Sequence, residues 1–420
     1  MSEHSADFSR EITKILERNS GLSSMLYRAI ENPVETAVSC ISGHQPSIEA
    51  VNMANELGAK VDFVGAEDGT EQEKNHHSDN LADVLRKREE NKKTELNNQI
   101  GNLQTKIPDS KNKKEEEVFK TKLAIVEEKL SKDNFSAKAK SKLSGKFSPV
   151  WLAVLRAYAG EYQAVVGGGD CPSIEFIQAI AKGTTKVQKL NSTYVLSGEK
   201  PGDISHNYTT NLDSGQIIKN RVIAITDPAL EPAPGIEQRA DAAFATARVL
   251  QALFPDLGPK IAFASYATGP SGKGDLVNND INAYNKFLEN YPKSYPAYGP
   301  IQFDAATNER TGIAKLPSFI RALENKEIDQ EEINAYESIA GMASIISVQN
   351  LEVGNNLVKA LHLTWELSVE MGPLILSPDG NLGSVDNPLV ASDLSRSEKA
   401  RSILFTILAL SILVESNQVK

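Results

Sequence analysis

A polar segment near the C-terminal end, residues 393–398, carries the residue types best suited to chemistry. It follows Pro388 and a short apolar stretch, residues 389–391, that predicts a buried strand, and it precedes an apolar run, residues 403–414, that predicts a helix. The free N–H groups and the dipole of a helix start favour an anion, and Arg396 adds a fixed cation there. One interpretation is therefore an anion site with phosphate as its ligand.

A purely structural interpretation of the same turn is also open. Ser395 and Glu398 have the S-x-x-E spacing of a capping box, in which the two side chains satisfy free N–H groups of the helix start without any ligand. This interpretation leaves Arg396 unexplained, although many helix starts carry a solvated arginine. The residues alone do not decide between the two interpretations.

Composition and charge exclude several classes of protein. The chain has 420 residues, enough for two or more domains that each bury a core, and its net charge of -10 argues against nonspecific binding of nucleic acid. Its two cysteines, Cys40 and Cys171, have no metal-type spacing and fit a reducing compartment. The N-terminal residues are too polar for a secretory signal, and residues 403–414 are fewer than the about 20 needed to span a bilayer. We therefore expect a cytoplasmic protein that binds no nucleic acid and no membrane.

Short apolar runs alternate with helical stretches along most of the chain. Predicted strands include residues 36–42, 61–65, 221–226 and 260–264, and predicted helices include residues 47–57, 173–182 and 237–253. This alternation predicts an α/β fold in which helices cover a parallel sheet. Residues 308–332 are predicted as a polar connection.

Residues 66–148 break the alternation because they are crowded with Lys, Glu, Asn and Ser. Two sets of four apolar residues within them have the spacing 4-3-4: Leu96, Ile100, Leu103 and Ile107, then Phe119, Leu123, Val126 and Leu130. Each set gives a helix one narrow apolar seam, which predicts an inserted helical hairpin. A partly disordered charged linker is the alternative.

Two loops that follow predicted strands have compositions that suit phosphate. The run Gly167, Gly168 and Gly169 would let backbone N–H groups approach a phosphate, although it is neither a Walker loop nor a dinucleotide motif, and a tight structural turn is the favoured interpretation of this run by itself. The loop of residues 265–274 is rich in hydroxyls and glycine and has one cation, but such loops are also ordinary connectors. Its candidate ligands are Thr268, Gly269, Ser271 and Lys273.

Four stretches, taken in their order, resemble the phosphate acetyl/butyryltransferase family. They are residues 261–274, residues 299–306, residues 350–360, and Gly372-Pro373 together with residues 393–396. The likeness covers most of residues 221–410, with a weaker match at residues 33–65 and 150–188.

This resemblance implies a fold, a reaction and an assembly. The fold is two α/β domains with a cleft between them, as in isocitrate and isopropylmalate dehydrogenases. Domain I would comprise residues 1–188 and 385–420, with the hairpin inserted at about residues 70–146, and domain II residues 189–384. The reaction is acyl-CoA plus phosphate giving acyl phosphate plus CoA, in a homodimer, with acetyl-CoA or another acyl-CoA as substrate and with neither a metal nor a tightly bound cofactor.

The resemblance also assigns roles to residues. Ser395 and Arg396 would lie at the reaction centre, with Asp393, Asn355 and Lys359 among the residues that bind substrate. A guanidinium suits this chemistry because negative charge builds on the carbonyl and phosphate oxygens during transfer.

The chain departs from the family pattern at two places. Family acetyltransferases have an aspartate, the proposed base, six residues after the arginine, where this chain has Ser402. The hypothesis is that Glu398 takes its place, or that Arg396 and the helix start lower the pKa of the CoA thiol without a base. The glycine run is followed here by Asp170 and Cys171 rather than a Thr-His pair, and Gln178 replaces an arginine on the next helix.

The leading prediction is therefore a phosphate acyltransferase that acts on acetyl-CoA or a similar short acyl-CoA. One alternative is a catalytically impaired homologue that binds acyl-CoA or acyl phosphate and acts as a regulator or scaffold; Ser402 and the altered glycine loop favour it. A metal-dependent dehydrogenase of the same architecture would need clustered aspartates near a Lys-Tyr pair, and the sequence shows no such cluster. The acyl chain length is not determined by the sequence.

Overall fold

One mixed β-sheet runs through the whole protein. The computed structural model describes residues 3–39, 44–65, 70–104, 110–132, 135–144, 148–169, 171–183, 189–200, 202–365, 369–377, 380–383, 388–394 and 398–418. The strands in chain order are β1 Glu35–Ser39, β2 Lys60–Val64, β3 Ala164–Gly168, β4 Asn191–Glu199, β5 Tyr208–Asn211, β6 Ile217–Thr226, β7 Ile261–Ala264, β8 Ala297–Ile301, β9 Ile345–Ser347, β10 Val369–Leu376 and β11 Val390–Leu394.

The sheet contains two parallel blocks joined by antiparallel strands. Its order is β2-β1-β3-β11-β10-β4-β6-β9-β7-β8, with β5 paired to β6 outside this path. The strands from β2 to β11 are parallel to one another, and so are those from β6 to β8. Between the blocks, β10 and β4 each run antiparallel to both neighbours. The α/β fold is therefore confirmed, with an antiparallel centre that the sequence did not predict.

Helices cover both faces of this sheet. In chain order they are α1 Glu3–Arg18, α2 Ser20–Glu31, α3 Gln45–Glu56, α4 Glu71–Gln104, α5 Ser110–Lys132, α6 Phe135–Lys142, α7 Ser148–Tyr158, α8 Ser173–Lys182, α9 Ile236–Leu253, α10 Asp275–Asn290, α11 Phe303–Thr307, α12 Glu309–Glu324, α13 Gln330–Ile339, α14 Leu351–Thr364 and α15 Ala400–Gln418.

Residues of β6 illustrate why the sheet is buried on both sides. Val222 and Ala224 belong to the core beneath α9 and α15, whereas Ile223 and Ile225 belong to the core on the opposite face. Successive side chains of a strand point to opposite faces, so a continuous apolar run is the pattern of a strand covered on both sides.

The C-terminal helix α15 lies at the centre of the larger core. Its residues 400–417 are long and apolar enough to cross a membrane by length and composition, and 72% of that stretch is buried inside the protein. Buried core helices meet the same criterion, and α15 packs against α2, α3, α9 and β10. We therefore identify α15 as a core helix.

Several elements differ from the sequence-based expectations. The prediction of a polar connection at residues 308–332 is wrong, because α12 and the start of α13 occupy this segment. Both helices begin at a side-chain cap, where Asn308 accepts from the Thr311 N–H and Asp329 accepts from the Glu332 N–H. These caps supply local helix-start signals that the polar composition of the segment masked.

Two long helices occupy the lysine- and glutamate-rich segment. Leu96 and Ile100 of α4 and Val126 of α5 are buried, as expected for residues of the predicted seams. Lys93 Nζ of α4 lies 3.0 Å from Glu127 Oε1 of α5, which ties the two helices together on their outer side. Leu103 and Ile107 of the first seam fall outside the residues whose side chains are described.

Candidate active site

A cleft with two connected parts opens beside β10, β11 and α14. The first part, with a volume of about 310 Å³, is lined by Tyr194, Pro228, Asn355, Val358, Lys359, His362, Leu363, Pro373 and Glu398. The second part, of about 470 Å³, is lined by Cys171, Pro172, Ser173, Ala229, Leu351, Asn355, Lys359, Pro373, Asp393 and Leu394. Asn355, Lys359 and Pro373 line both parts, so the two form one continuous cleft.

Helix α14 forms one wall of the cleft because a glycine lets it approach the end of β6. A side chain at Gly354 would place its Cβ 2.9 Å from Pro228 Cα, which is closer than real contacts allow. The adjacent Asn355 Nδ2 donates to the Pro228 carbonyl over 3.4 Å. Lys359 lies one turn further along the same face of α14. Close packing of the helix thus brings both predicted substrate-binding residues into the cleft.

A bulge in β10 forms the facing wall. The register with β4 shifts between Met371 and Leu374, and Gly372 has a φ of 111°, where a Cβ would lie 2.6 Å from the Leu374 nitrogen. Ser392 Oγ holds the bulge by donating to the Pro373 carbonyl over 2.9 Å. The bulge therefore explains how Pro373 reaches both parts of the cleft.

The glycine run lies next to this wall at the end of β3. Gly168 has a φ of 81°, and a Cβ there would lie 2.3 Å from the Leu394 carbonyl oxygen. A Cβ on Gly167 would meet the Phe176 ring at 2.1 Å, and the Gly169 N–H donates to the Leu394 oxygen over 2.9 Å. Packing against β11 and α8 thus accounts for the conformation of these glycines, and phosphate binding there stays a prediction.

Asp393 lies at the end of β11, where it is buried with 5% exposure. Burial raises its pKa to about 6, and a hydrogen bond from Ser173 opposes that shift. Its Oδ1 atom has no hydrogen-bond partner among the described residues. Asp393 therefore presents a partly protonated carboxyl group to the second part of the cleft at neutral pH or slightly below.

Glu398 is the most perturbed carboxylate of the cleft. The side chain is 6% exposed, and burial, together with the negative charge of Glu370, raises its pKa to about 8. A hydrogen bond from Tyr194 and the charges of Lys359 and Lys399 oppose the shift without cancelling it. Glu398 Oε2 has no hydrogen-bond partner among the described residues, so this oxygen is free to accept a proton.

Three residues around Glu398 were missed by the sequence reasoning. The Tyr194 hydroxyl lies 3.4 Å from Glu398 Oε1 and 3.4 Å from Glu370 Oε2. His362 Nδ1 of α14 lies 2.5 Å from Glu370 Oε1. One signal could have identified part of this cluster: Glu370 is a lone carboxylate in the otherwise apolar strand β10, and a buried charge requires a partner.

The capping-box interpretation of Glu398 is wrong for the observed helix. Helix α15 begins at Ala400, and the Ile403 N–H donates to the Lys399 carbonyl, so Lys399 and not Ser395 is the residue that precedes the helix. Glu398 therefore lies outside α15, and it does not share a helix face with Ser402. Its side chain turns instead toward Tyr194 and Glu370, whose strands form the wall of the cleft.

Ser395 and Arg396 lie outside the described residues. Their described neighbours in the sequence, Leu394 and Glu398, both line the cleft. Their assignment to the reaction centre stays a prediction.

The predicted loop after β7 packs away from this wall. Thr268 Oγ1 accepts from the Gln302 N–H over 3.0 Å, and Ser271 Oγ donates to the Thr268 carbonyl over 2.6 Å. Gly269 packs so closely on Phe319 that a Cβ would lie 2.3 Å from its ring, and Lys273 is exposed. Among the described residues that line the two parts of the cleft, none comes from this loop. Binding of substrate by Thr268, Gly269, Ser271 and Lys273 stays a prediction.

The arrangement suits proton transfer beside a cation. Within the described ranges, no group of three or more His, Cys, Asp or Glu residues is placed to hold a metal ion. Glu398 can accept a proton, while Lys359 and Asn355 supply one positive charge and one amide for polar groups of a ligand.

Comparison with known proteins places the chain in a family. The sequence model described as "Phosphate acetyl/butaryl transferase" matches residues 76–320, more than half of the chain. The chain belongs to this family. The likeness that residues 261–274 and 299–306 suggested is thereby confirmed.

Curated members of the family are similar over about half of this chain. A phosphate acetyltransferase of Nitratidesulfovibrio vulgaris is 28% identical over 201 residues, which are 48% of this chain and 24% of that protein. One from Haemophilus influenzae is 29% identical over 47% of this chain and 23% of that protein, and one from Corynebacterium glutamicum is 27% identical over 47% and 50%. The chain therefore spans about a quarter of the length of the first two of these relatives.

Two solved structures share the fold. A phosphotransacetylase from Streptococcus pyogenes superposes with a TM-score of 0.56 at 16% identity, over 94% of this chain and 99% of that chain. The EutD phosphotransacetylase from Staphylococcus aureus gives a TM-score of 0.54 at 15% identity, over 94% and 98%. At these identities the likeness establishes the fold of the chain.

Proposed function

We propose that the protein is a phosphate acyltransferase, which transfers an acetyl or other short acyl group between CoA and inorganic phosphate. Glu398 is the observation that carries this proposal: it is a buried carboxylate with a free oxygen at the wall of a cleft that also contains Lys359. The family to which the chain belongs, and the phosphate acetyltransferases among its relatives, support the same reaction. CoA and acetyl-CoA act as substrates here, with no tightly bound cofactor.

The proposed step balances protons and bonds as follows. In the direction that forms the thioester, Glu398 Oε2 removes the proton of the CoA thiol, the sulfur bonds to the carbonyl carbon of the acyl phosphate, and the C–O bond to phosphate breaks. Glu398 then gives the proton to the departing phosphate oxygen and is ionised again. A thiol with a pKa of about 8.5 transfers its proton almost thermoneutrally to a carboxylate with a pKa of about 8, which is the condition for efficient base catalysis. Arg396 and Lys359 offset the charge on the departing phosphate.

The test of the proposed function is the release of free CoA, followed with a thiol reagent. Acetyl-CoA, propionyl-CoA and butyryl-CoA are each supplied with and without phosphate, which also ranks the acyl chains. We expect release that requires phosphate, and a reduction on the order of 10²-fold in Arg396→Ala because a fixed cation at the transferring group is lost. Arg10→Ala, at an exposed site of α1, is the matched control.

Failure of this test has a clear meaning. CoA release that is absent in the wild-type protein, or that is equal with and without phosphate, would rule out the transferase. Full activity in Arg396→Ala would remove this arginine from the reaction centre.

We further propose that the cleft lies between two α/β domains, as predicted, in a cytoplasmic enzyme. The parallel block β2-β1-β3-β11 comes from the residues assigned to domain I, and the block β6-β9-β7-β8 comes from those assigned to domain II. Cys171, Ser173 and Asp393 on one side of the cleft and Asn355 and Lys359 on the other follow the same division. Helices α4 to α6 then form the insertion within domain I.

A homodimer is proposed through the outer face of α12. Ile313 and Ile320 are seven residues apart on one face of this helix, where they are 57% and 50% exposed. Tyr266 and Leu276 add further exposed apolar surface near the loop that packs on α12. Such apolar surface is typical of a protein interface.

A charged substitution tests this interface. We expect Ile320→Glu to halve the mass measured by light scattering, because a carboxylate buried between two subunits has no partner. Ile217→Glu, which places the same charge at a 60% exposed site on β6, should leave the mass unchanged. A wild-type monomer, or a dimer that survives Ile320→Glu, would exclude this face.

A further inference from the structure

Four ionisable side chains form a continuous chain of contacts that ends at the proposed base. His362 Nδ1 lies 2.5 Å from Glu370 Oε1, Glu370 Oε2 lies 3.4 Å from the Tyr194 hydroxyl, and that hydroxyl lies 3.4 Å from Glu398 Oε1. The side chains come from α14, β10, β4 and the segment before α15. Neither the family resemblance nor the sequence motifs assigned a role to His362, Glu370 or Tyr194.

Burial makes this cluster sensitive to its own charges. Glu370 is 2% exposed and Tyr194 is 4% exposed, so water does not screen the interaction between Glu370 and Glu398. His362 is the more exposed member, with 27% of its side chain accessible. The contact with His362 gives the buried Glu370 carboxylate a polar partner at Oε1.

Tyr194 is a shared donor between two carboxylates. Its hydroxyl has one hydrogen, so it can donate to Glu370 or to Glu398 but not fully to both. Glu370 competes for this hydrogen, so Glu398 receives only part of the donation from Tyr194. Both effects of Glu370, its charge and its competition for the hydroxyl, therefore make Glu398 a stronger base.

We propose that Glu370 and His362 are positioning residues that set the basicity of Glu398 through Tyr194. This inference rests on the proposed function, because it explains how a glutamate is matched to a thiol. Among the residues that the structure describes, the other charged groups that face Glu398 are Lys359 of α14 and Lys399 in its own segment, and both act in the opposite direction. The balance among these groups keeps Glu398 near the basicity of the thiol.

The test is direct titration of the Glu398 carboxyl group by ¹³C NMR of protein labelled at glutamate carboxyls, with the resonance assigned by its absence in Glu398→Gln. This readout requires no substrate and no activity. We expect the titration midpoint of this resonance to lie near pH 8 in the wild-type protein. In Glu370→Gln the midpoint should lie lower by about one pH unit or more. In Tyr194→Phe the midpoint should lie at higher pH than in the wild-type protein, because a hydrogen bond that favours the ionised form is lost.

His362 supplies a second, independent variant. We expect His362→Ala to move the midpoint of the Glu398 titration up, as Tyr194→Phe does, because Glu370 without its partner at Oε1 draws the Tyr194 hydrogen away from Glu398. Glu352→Gln, which removes one negative charge from an exposed site of α14, should cause no shift. Retained circular dichroism in each variant shows that the fold is intact.

The outcomes separate this inference from the function on which it rests. Shifts of opposite sign in Glu370→Gln and Tyr194→Phe support the inference, and an acid limb of kcat/KM that moves in parallel supports both. Equal or absent shifts overturn the role of Glu370 and His362 even if the protein is an active transferase. The expected shifts without any phosphate-dependent CoA release would overturn the proposed function and leave the electrostatic coupling established.

Discussion

Glu398→Gln is expected to lower kcat/KM for the CoA-dependent cleavage of acetyl phosphate by about 10³-fold. A positioned general base contributes roughly 10² to 10⁴-fold, and the amide of glutamine keeps the shape of the side chain but cannot take the proton of the thiol. The measurement is the initial rate of thioester formation at saturating and limiting CoA. We expect the loss in kcat rather than in KM, because the removed interaction acts in the transition state.

The pH dependence of the wild-type enzyme provides the signature of this role. Since Glu398 must be ionised to act, the rate should rise with pH and level off above about 8, where its pKa lies. Glu398→Gln should lack that rise. Glu352→Gln on the exposed face of α14 is the matched control and should keep both the rate and the profile. A Glu398→Gln variant with unchanged turnover across this range would remove Glu398 from the mechanism.

The second large effect concerns stability, which is expected to fall as the pH rises from about 4.5 to 8. Glu398 has an ordinary pKa of 4.5 in the unfolded chain and about 8 in the folded protein, so the folded state binds the proton more tightly. Its contribution to stability is therefore fully present below pH 4.5 and is lost as the pH passes through 8. A shift of this size corresponds to a loss of roughly 5 kcal/mol.

Chemical denaturation at pH 5 and pH 9 measures this effect. Glu398→Gln should be more stable than the wild-type protein at pH 9 by most of this amount and nearly equal to it at pH 5, because the amide is never charged. Asp393→Asn should give a smaller gain that is complete at lower pH, since burial raises the pKa of Asp393 only to about 6. Equal stabilities of wild type and Glu398→Gln at both pH values would contradict a buried Glu398 with a raised pKa.

The two expected effects of Glu398→Gln have opposite signs for a single reason. Charge on Glu398 is unfavourable in the free protein, where burial and Glu370 oppose it, yet the proposed reaction requires that charge. Such a conflict between local stability and chemistry is typical of active sites. Cations at the substrate site would relieve it.

Local sequence determined the outline of this protein. Apolar runs such as those of β1, β3, β6 and β7 predicted strands close to where they lie, because a strand buried on both faces leaves a pattern within a few residues. The seams of α4 and α5 were visible for the same reason. The order of the motifs gave the family, and it named Asp393, Glu398, Asn355 and Lys359, which all line the cleft.

Only the tertiary structure decided what surrounds Glu398. Tyr194, His362 and Glu370 are 204, 36 and 28 residues from it in the chain and carry no shared motif. They meet because β10 and β4 insert antiparallel strands into the middle of the sheet and because a bulge at Gly372 turns Pro373 into the cleft. The sequence therefore named a carboxylate, and the fold raised its pKa: burial and a second carboxylate act through distances in space, which spacing along the chain does not encode.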